Sequence, residues 1–227
     1  VYHSMPYDVS ASTPEDIVIS NSNANQKFVL ITRYKGSNST LLFSFDDNGT
    51  LDQTFDDKTV SLTTIFDQDN KEINFSTHLL RSIAQDNNGS LWVGTTEGLF
   101  LINDTEKMFE RDLRAYRIKI PRNDGTGLAD YLLGTEEIKA IAVDGANRKW
   151  IGTQSSGLYL VSEDGLETIH HFTAENSPLL SNTIQSIAIN HKTGEVFIGT
   201  SNGLVSYQSD AIESSQKFDN VHAYPNP

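Results

Sequence analysis

Residues 80–101, LRSIAQDNNGSLWVGTTEGLFL, recur twice further along the chain in altered form. Ile83, Ile141 and Ile187 are each followed three residues later by Asp86, Asp144 or Asn190. Trp92, Trp150 and Phe197 come nine or ten residues after those isoleucines, and Gly94-Thr95, Gly152-Thr153 and Gly199-Thr200 lie two residues beyond the aromatics. A further glycine, Gly98, Gly157 or Gly203, closes each unit ahead of a short apolar run. Self-similarity of this kind belongs to repeat architectures, in which each copy buries its apolar face against the next.

Each unit reads as short strands separated by turns. LLRSIAQD is an apolar strand, Asn87-Asn88-Gly89 a turn whose residues tolerate positive φ, LWVGT a second strand, and LFLI a third. The turn residues differ between copies while the turn stays in place, so geometry rather than side-chain chemistry is conserved from unit to unit. The glycine ahead of each threonine sits inside a strand, where it indicates a bulge or a close approach of two backbones. Sheets this small cannot cover both of their faces. Packed radially against copies of themselves they form a β-propeller, and the expected fold is all-β with about four antiparallel four-stranded blades.

The expected blades cover 16–54, 79–120, 137–174 and 182–207, within a propeller region of 1–215. A weaker first copy carries Phe28 nine residues after Ile19, and LDQTF (51–55) reads as its fourth strand. AYRIKIP (115–121) reads as the outer strand of the second blade and ETIHHF (167–172) as that of the third. Residues 55–78 and 121–136 read as insertions. The final blade shows three strands, and residues 216–227, ending VHAYPNP, read as a linker into a further domain. A chain opening on Val1 and closing on Pro227 looks cut from a longer protein.

Composition narrows the partners. The formal net charge of -13 argues against sequence-independent nucleic-acid binding and against adsorption on anionic lipid. With no cysteine there is neither a disulfide nor a thiolate metal site. No apolar run reaches the length of a membrane span, so direct membrane insertion is not expected.

The pattern SIAQDNNGSLWVGTTEGLFLI, with its copies at 138–161 and 184–207, resembles the two-component-regulator propeller repeat of Bacteroidetes-type bacteria. Two kinds of protein carry that repeat: extracytoplasmic polysaccharide sensors of hybrid two-component systems, and PorZ-like surface components of type IX secretion. VHAYPNP resembles the segment that opens a sorting-type domain in secreted proteins of that system. The stretch from Ile118 to Val161, continuing through HHFTAENSPLLSNTIQSIAIN (170–190), resembles the end of a PorZ-type second propeller. The resemblance implies an extracytoplasmic location and a ring of about seven blades, of which about four would be present here. It also implies partners among envelope and secretion proteins or a cell-surface glycan, anionic lipopolysaccharide included. The acidic balance adds no support for that last ligand.

Side-chain chemistry points to scaffold rather than catalysis. Trp92, Trp150 and Phe197 read as inter-blade core rather than as sugar platforms. Ile83, Ile141, Ile187 and the glycines 94, 98, 152, 157, 199 and 203 complete that structural set. Asp86 and Asp144 read as turn-forming residues. Asp67-Gln68-Asp69-Asn70 opens like a calcium loop but lacks the central glycine and the closing glutamate. His170 and His171, adjacent on a strand, point to opposite faces and cannot easily share one metal. Asn123–Gly127 is glycine-rich without a phosphate-loop lysine and reads as a turn. No catalytic constellation, metal site or cofactor is expected, and no ligand-binding residue stands out. Binding is expected on the two insertions, because a rigid repeat scaffold leaves loops as its variable surface. Open blade edges would also favour self-association. The alternative reading is a polysaccharide-sensing domain, and a propeller lyase or glycosidase comes third.

Overall fold

The computed structural model describes residues 12–33, 39–50 and 53–212. β-branched and aromatic runs broken by Asn, Asp and Gly turns give strands almost throughout, with one 3-10 turn at Thr105–Phe109. The first sheet is β1 (Thr13–Ile19), β2 (Gln26–Arg33), β3 (Leu41–Asp46) and β4 (Lys58–Leu62), antiparallel in that order. β5 (Thr64–Asp67) and β6 (Glu72–Asn74) form a hairpin. The second blade is β7 (Leu80–Gln85), β8 (Leu91–Thr95) and β9 (Leu99–Ile102). β10 (Arg114–Ala115) then pairs with β5 in parallel, and β11 (Lys119–Pro121) with β12 (Ala129–Tyr131) as a ribbon. The third blade is β13 (Ile138–Val143), β14 (Lys149–Thr153), β15 (Leu158–Val161) and β16 (Thr168–Phe172). The fourth is β17 (Ile184–Asn190), β18 (Glu195–Thr200) and β19 (Gly203–Gln208).

The four sheets stack with their first strands side by side, β1 near β7, β7 near β13 and β13 near β17. Each interface has its own apolar core. Phe28, Leu80, Val93 and Phe100 join the first two blades; Trp92, Leu101, Ile138 and Ile151 the next two; Trp150, Leu160, Ile184 and Val196 the last two. The chain is an all-β propeller.

The repeat motif is explained by these interfaces. A Cβ on Gly94 would stand 2.7 Å from Cγ2 of Ile138, and one on Gly152 would stand 2.8 Å from Cβ of Ile184. The strand glycine is therefore a notch that receives an isoleucine from the next blade. The threonine after it closes the following turn, its hydroxyl donating to the Gly98 carbonyl from Thr95, to Gly157 from Thr153 and to Gly203 from Thr200. Gly98 and Gly157 hold φ near +80°, and each donates its N–H to the following blade's connection, at the carbonyls of Glu136 and Asn182.

Four expectations change. Phe197 was expected in the core beside Trp92 and Trp150, but it is 36% exposed where Trp150 is fully buried. The aromatic of each blade faces the next blade, and among the described residues no further sheet lies against β17–β19. The fourth strand of the first blade is Lys58–Leu62, not 51–55, of which 51 and 52 lie outside the described residues. The Thr50 hydroxyl bonds to the Asp56 carboxylate and ties this connection into a loop, so pairing resumes only at Lys58 opposite Asp46. Residues 115–121 make no outer strand; only Tyr116 bridges to Leu101, because β10 is drawn to β5 and β11 to β12. Finally, 55–78 is not a plain insertion but holds β4, β5 and β6. The expected linker at 216–227 and the end of the region at 215 lie outside the described residues.

Candidate functional site

In every antiparallel blade the turns after the first and third strands lie at one end, so those of neighbouring blades line one face. Aspartate organises that face. Oδ1 of Asp86 accepts the N–H groups of Asn88 at 3.0 Å and Ser90 at 2.9 Å, fixing the turn. Its Oδ2 accepts the Trp92 indole N–H at 2.9 Å and faces Lys149 Nζ at 3.1 Å. Asp144 repeats the arrangement with Ala146, Arg148 and the Trp150 indole. In the fourth blade the pair becomes Asn190 and Phe197. An amide replaces the acid where no indole N–H is present, and Asn190 Oδ1 still accepts from Lys192 N. The turn-forming reading of Asp86 and Asp144 describes half of their role; the indole bond is the other half.

Lys149 was not singled out by sequence. It is fully buried, its ammonium donating to the carbonyls of Asn147 at 2.8 Å and Glu163 at 2.6 Å and reaching Asp86 from the next blade. It lies 4.7 Å over the Trp92 ring. Burial pulls its pKa down, with the Asp86 carboxylate acting in the opposite direction. The available signal was its place directly before Trp150, where Leu91 stands in the second blade.

Above this network runs a polar groove. One hollow of about 480 Å³ is lined by Asn21, Asn87, Asn88, Asn103, Asp104 and Glu106 among others. A second, of about 460 Å³, shares Asn88 and Asn103 and adds Tyr116, Glu163 and Asp164. The amides brace it: Asn21 donates to the Asp86 carbonyl, and Asn88 and Asn147 both donate to Glu163 Oε1. The bonds from Asn88 and then Asn147 hold the Glu163 carboxyl below its usual range, and the Ser162 hydroxyl does the same for Asp164. Both are ionised acceptors at neutral pH.

The other sequence candidates fall elsewhere. Asp67 forms the same turn as Asp86, its Oδ1 accepting from Asp69 N and Lys71 N, while Asp69 is engaged by Lys119 and the Tyr131 hydroxyl. The calcium-like spacing is thus a repeat turn. His171 stacks on Tyr159 at 3.9 Å and His170 leans on Phe172, so the two rings have separate partners. Asn123–Gly127 caps the β11–β12 ribbon, with Asp124 Oδ1 accepting from Thr126 N. The structure brings the two insertions together, Gln68 and Asp69 meeting Arg117, Lys119 and Tyr131. Among the described residues no helix is long and apolar enough to cross a membrane.

Stacked antiparallel sheets of three or four strands, with first strands side by side and a strand-glycine notch at two of the three interfaces, define a β-propeller. Residues 75–97 match the family Two component regulator propeller. Among solved structures the chain is similar to PorZ, described as an essential surface component of the type-IX secretion system of Porphyromonas gingivalis, with 33% identity and a TM-score of 0.83. That match covers 100% of this chain and 30% of PorZ, so the chain spans less than a third of that protein's length. The extracellular domain described for the hybrid two component system BT3049 of B. thetaiotaomicron matches at 18% identity and a TM-score of 0.51, covering 94% of this chain and 30% of that one. YCF48 from Cyanidioschyzon merolae matches at 14% identity and 0.51, covering 94% and 59%. Those two likenesses are of fold. No curated protein matches the sequence.

Proposed function

We propose that this chain is a non-enzymatic binding and scaffold module of a bacterial cell-envelope protein of the PorZ-like kind, working outside the cytoplasm. The observation that carries this reading is the similarity to PorZ over the whole chain, at an identity the sensor domain does not approach. The groove is the surface for a ligand. Its braced amides and ionised carboxylates suit the hydroxyls of an uncharged cell-surface glycan, and its lack of lysine or arginine lining disfavours a polyanion. Glycoside cleavage needs a carboxylic acid held protonated to act as general acid. The three groove carboxyls with displaced pKa values, Asp104, Glu163 and Asp164, are displaced the other way, which supports binding over turnover.

The test is genetic. In the source bacterium, in-frame removal of this propeller segment should deplete exported proteins from the cell surface, measured by mass spectrometry of surface and periplasmic fractions. An unchanged surface proteome would sink the secretion reading. An unchanged proteome with loss of a transcriptional response to a polysaccharide would favour the sensor instead.

A further inference from the structure

The junction of the two insertions carries a feature that the groove does not use. Gln68, in the β5–β6 turn, accepts the Arg117 N–H at 2.9 Å and donates to the Arg117 carbonyl at 2.8 Å, so one amide grips both main-chain groups of that arginine. The Arg117 guanidinium lies 3.8 Å over the Tyr131 ring, and Lys71 Nζ lies 5.5 Å from the same centroid. Arg114 lies 5.7 Å over Phe66. Of the nearby carboxylates, Asp67 is buried and closes the β5–β6 turn, and three others have partners of their own. Asp69 is bound to Lys119 and Tyr131, Asp130 to Arg122, and Glu72 to the Thr64 hydroxyl. Among the described residues no ion pair joins a carboxylate to Lys71, Arg114 or Arg117. Among the described residues, a chain of net charge -13 thus gathers three cations that form no salt bridge, two of them over the Tyr131 ring.

We propose that this cluster is the docking site for an acidic, extended segment of a protein partner. The proposal rests on reading the chain as a binding module and adds which surface binds and with what chemistry. A guanidinium held over a ring has part of its rotamer freedom already spent, which lowers the entropy lost when it binds a carboxylate. Phe66, 43% exposed and 5.7 Å from the Arg114 guanidinium, offers apolar contact beside the charges. A glycan fits less well here. The Tyr131 ring lies under Arg117 rather than open for sugar stacking, and the cluster of asparagine amides lines the groove instead. Tyr116 and Ile118 line the groove, whereas Arg117 is held by Gln68 and Tyr131, neither of which lines it. The two surfaces are therefore separate.

The probe is a fluorescein-labelled twelve-residue peptide repeating Glu-Leu-Asp-Phe, titrated with the full chain and followed by anisotropy at about 20 mM and about 150 mM salt. Binding should weaken as salt rises, and Arg117→Ala combined with Lys71→Ala should weaken it at least about tenfold. Lys71→Glu alone, at an exposed side chain away from the Gln68 clamp, should weaken it about as much and keeps the test alive if Arg117→Ala unfolds the chain. Glu163→Gln in the groove should leave binding unchanged, which separates this site from the glycan surface. Absence of binding at low salt, equal binding by both variants, or displacement of the peptide by alginate of matched charge would each overturn the proposal. The export assay above is independent of all three results.

Discussion

Two backbone N–H groups, an indole and an ammonium converge on Asp86, and Asp144 receives the same set with a guanidinium in place of the ammonium. Trp92→Phe keeps the ring and removes one donor from a buried oxygen. Its expected cost is about 1–2 kcal/mol in urea unfolding, because Lys149 still faces the carboxylate. Lys149→Met should cost more, about 3 kcal/mol, since it leaves Asp86 and the carbonyls of Asn147 and Glu163 without their cation. If Lys149→Met proved neutral, the ion pair would add nothing to the clasp between the two blades.

At the scale of the blade, the same motif has different consequences at different interfaces. Gly152→Ala places a methyl against Ile184 of the next blade, with an expected loss of about 2 kcal/mol. Gly199→Ala meets only the Ser186 side chain, whose hydroxyl can rotate away, and should cost less than about 1 kcal/mol. The aromatics follow the same order. Trp150→Ala empties a filled interface, for about 3–5 kcal/mol, whereas Phe197→Ala removes a side chain that no described sheet covers and should stay within about 1 kcal/mol. Denaturant midpoints of the four variants check this, and a costly Gly199→Ala or Phe197→Ala would show that β17–β19 is covered in solution.

For the molecule as a whole, the charge balance sets an acid limit. The Lys27 ammonium and Gly49 N–H outweigh the upward push of burial on Asp47, so its carboxyl lies below the ordinary range. Hydrogen bonds from Asn88 and Asn147 lower Glu163, and the Arg148 guanidinium lowers Asp210. Carboxyls held low in the folded state contribute stability above their unfolded pKa of about 4, lost as pH falls through the folded values. Asp16, raised by burial, acts in the opposite sense, its contribution fading as pH rises, but it stands against several lowered carboxyls. The melting temperature should therefore hold from about pH 7 to about pH 5 and drop below about pH 4. A flat profile to about pH 3 would contradict these pairings.

The strands, the turns at Asn87–Gly89 and Gly145–Asn147 and the Gly-Thr closure were legible because each is settled within a few residues of chain. Hydrogen bonds from Thr95 to Gly98, or from Ser90 to Asp86, need no distant partner to exist. The all-β propeller follows from the recurrence of such units. Tertiary structure alone decided which members of the set are covered, because burial depends on the sheet that follows. Phe197 occupies the same repeat position as Trp150 and is exposed because no described sheet lies across its face. The burial of Lys149 beside Asp86, the amide-lined groove and the meeting of Gln68 with Arg117 were equally hidden. Each joins residues 49 or more apart, a contact that strand periodicity does not encode.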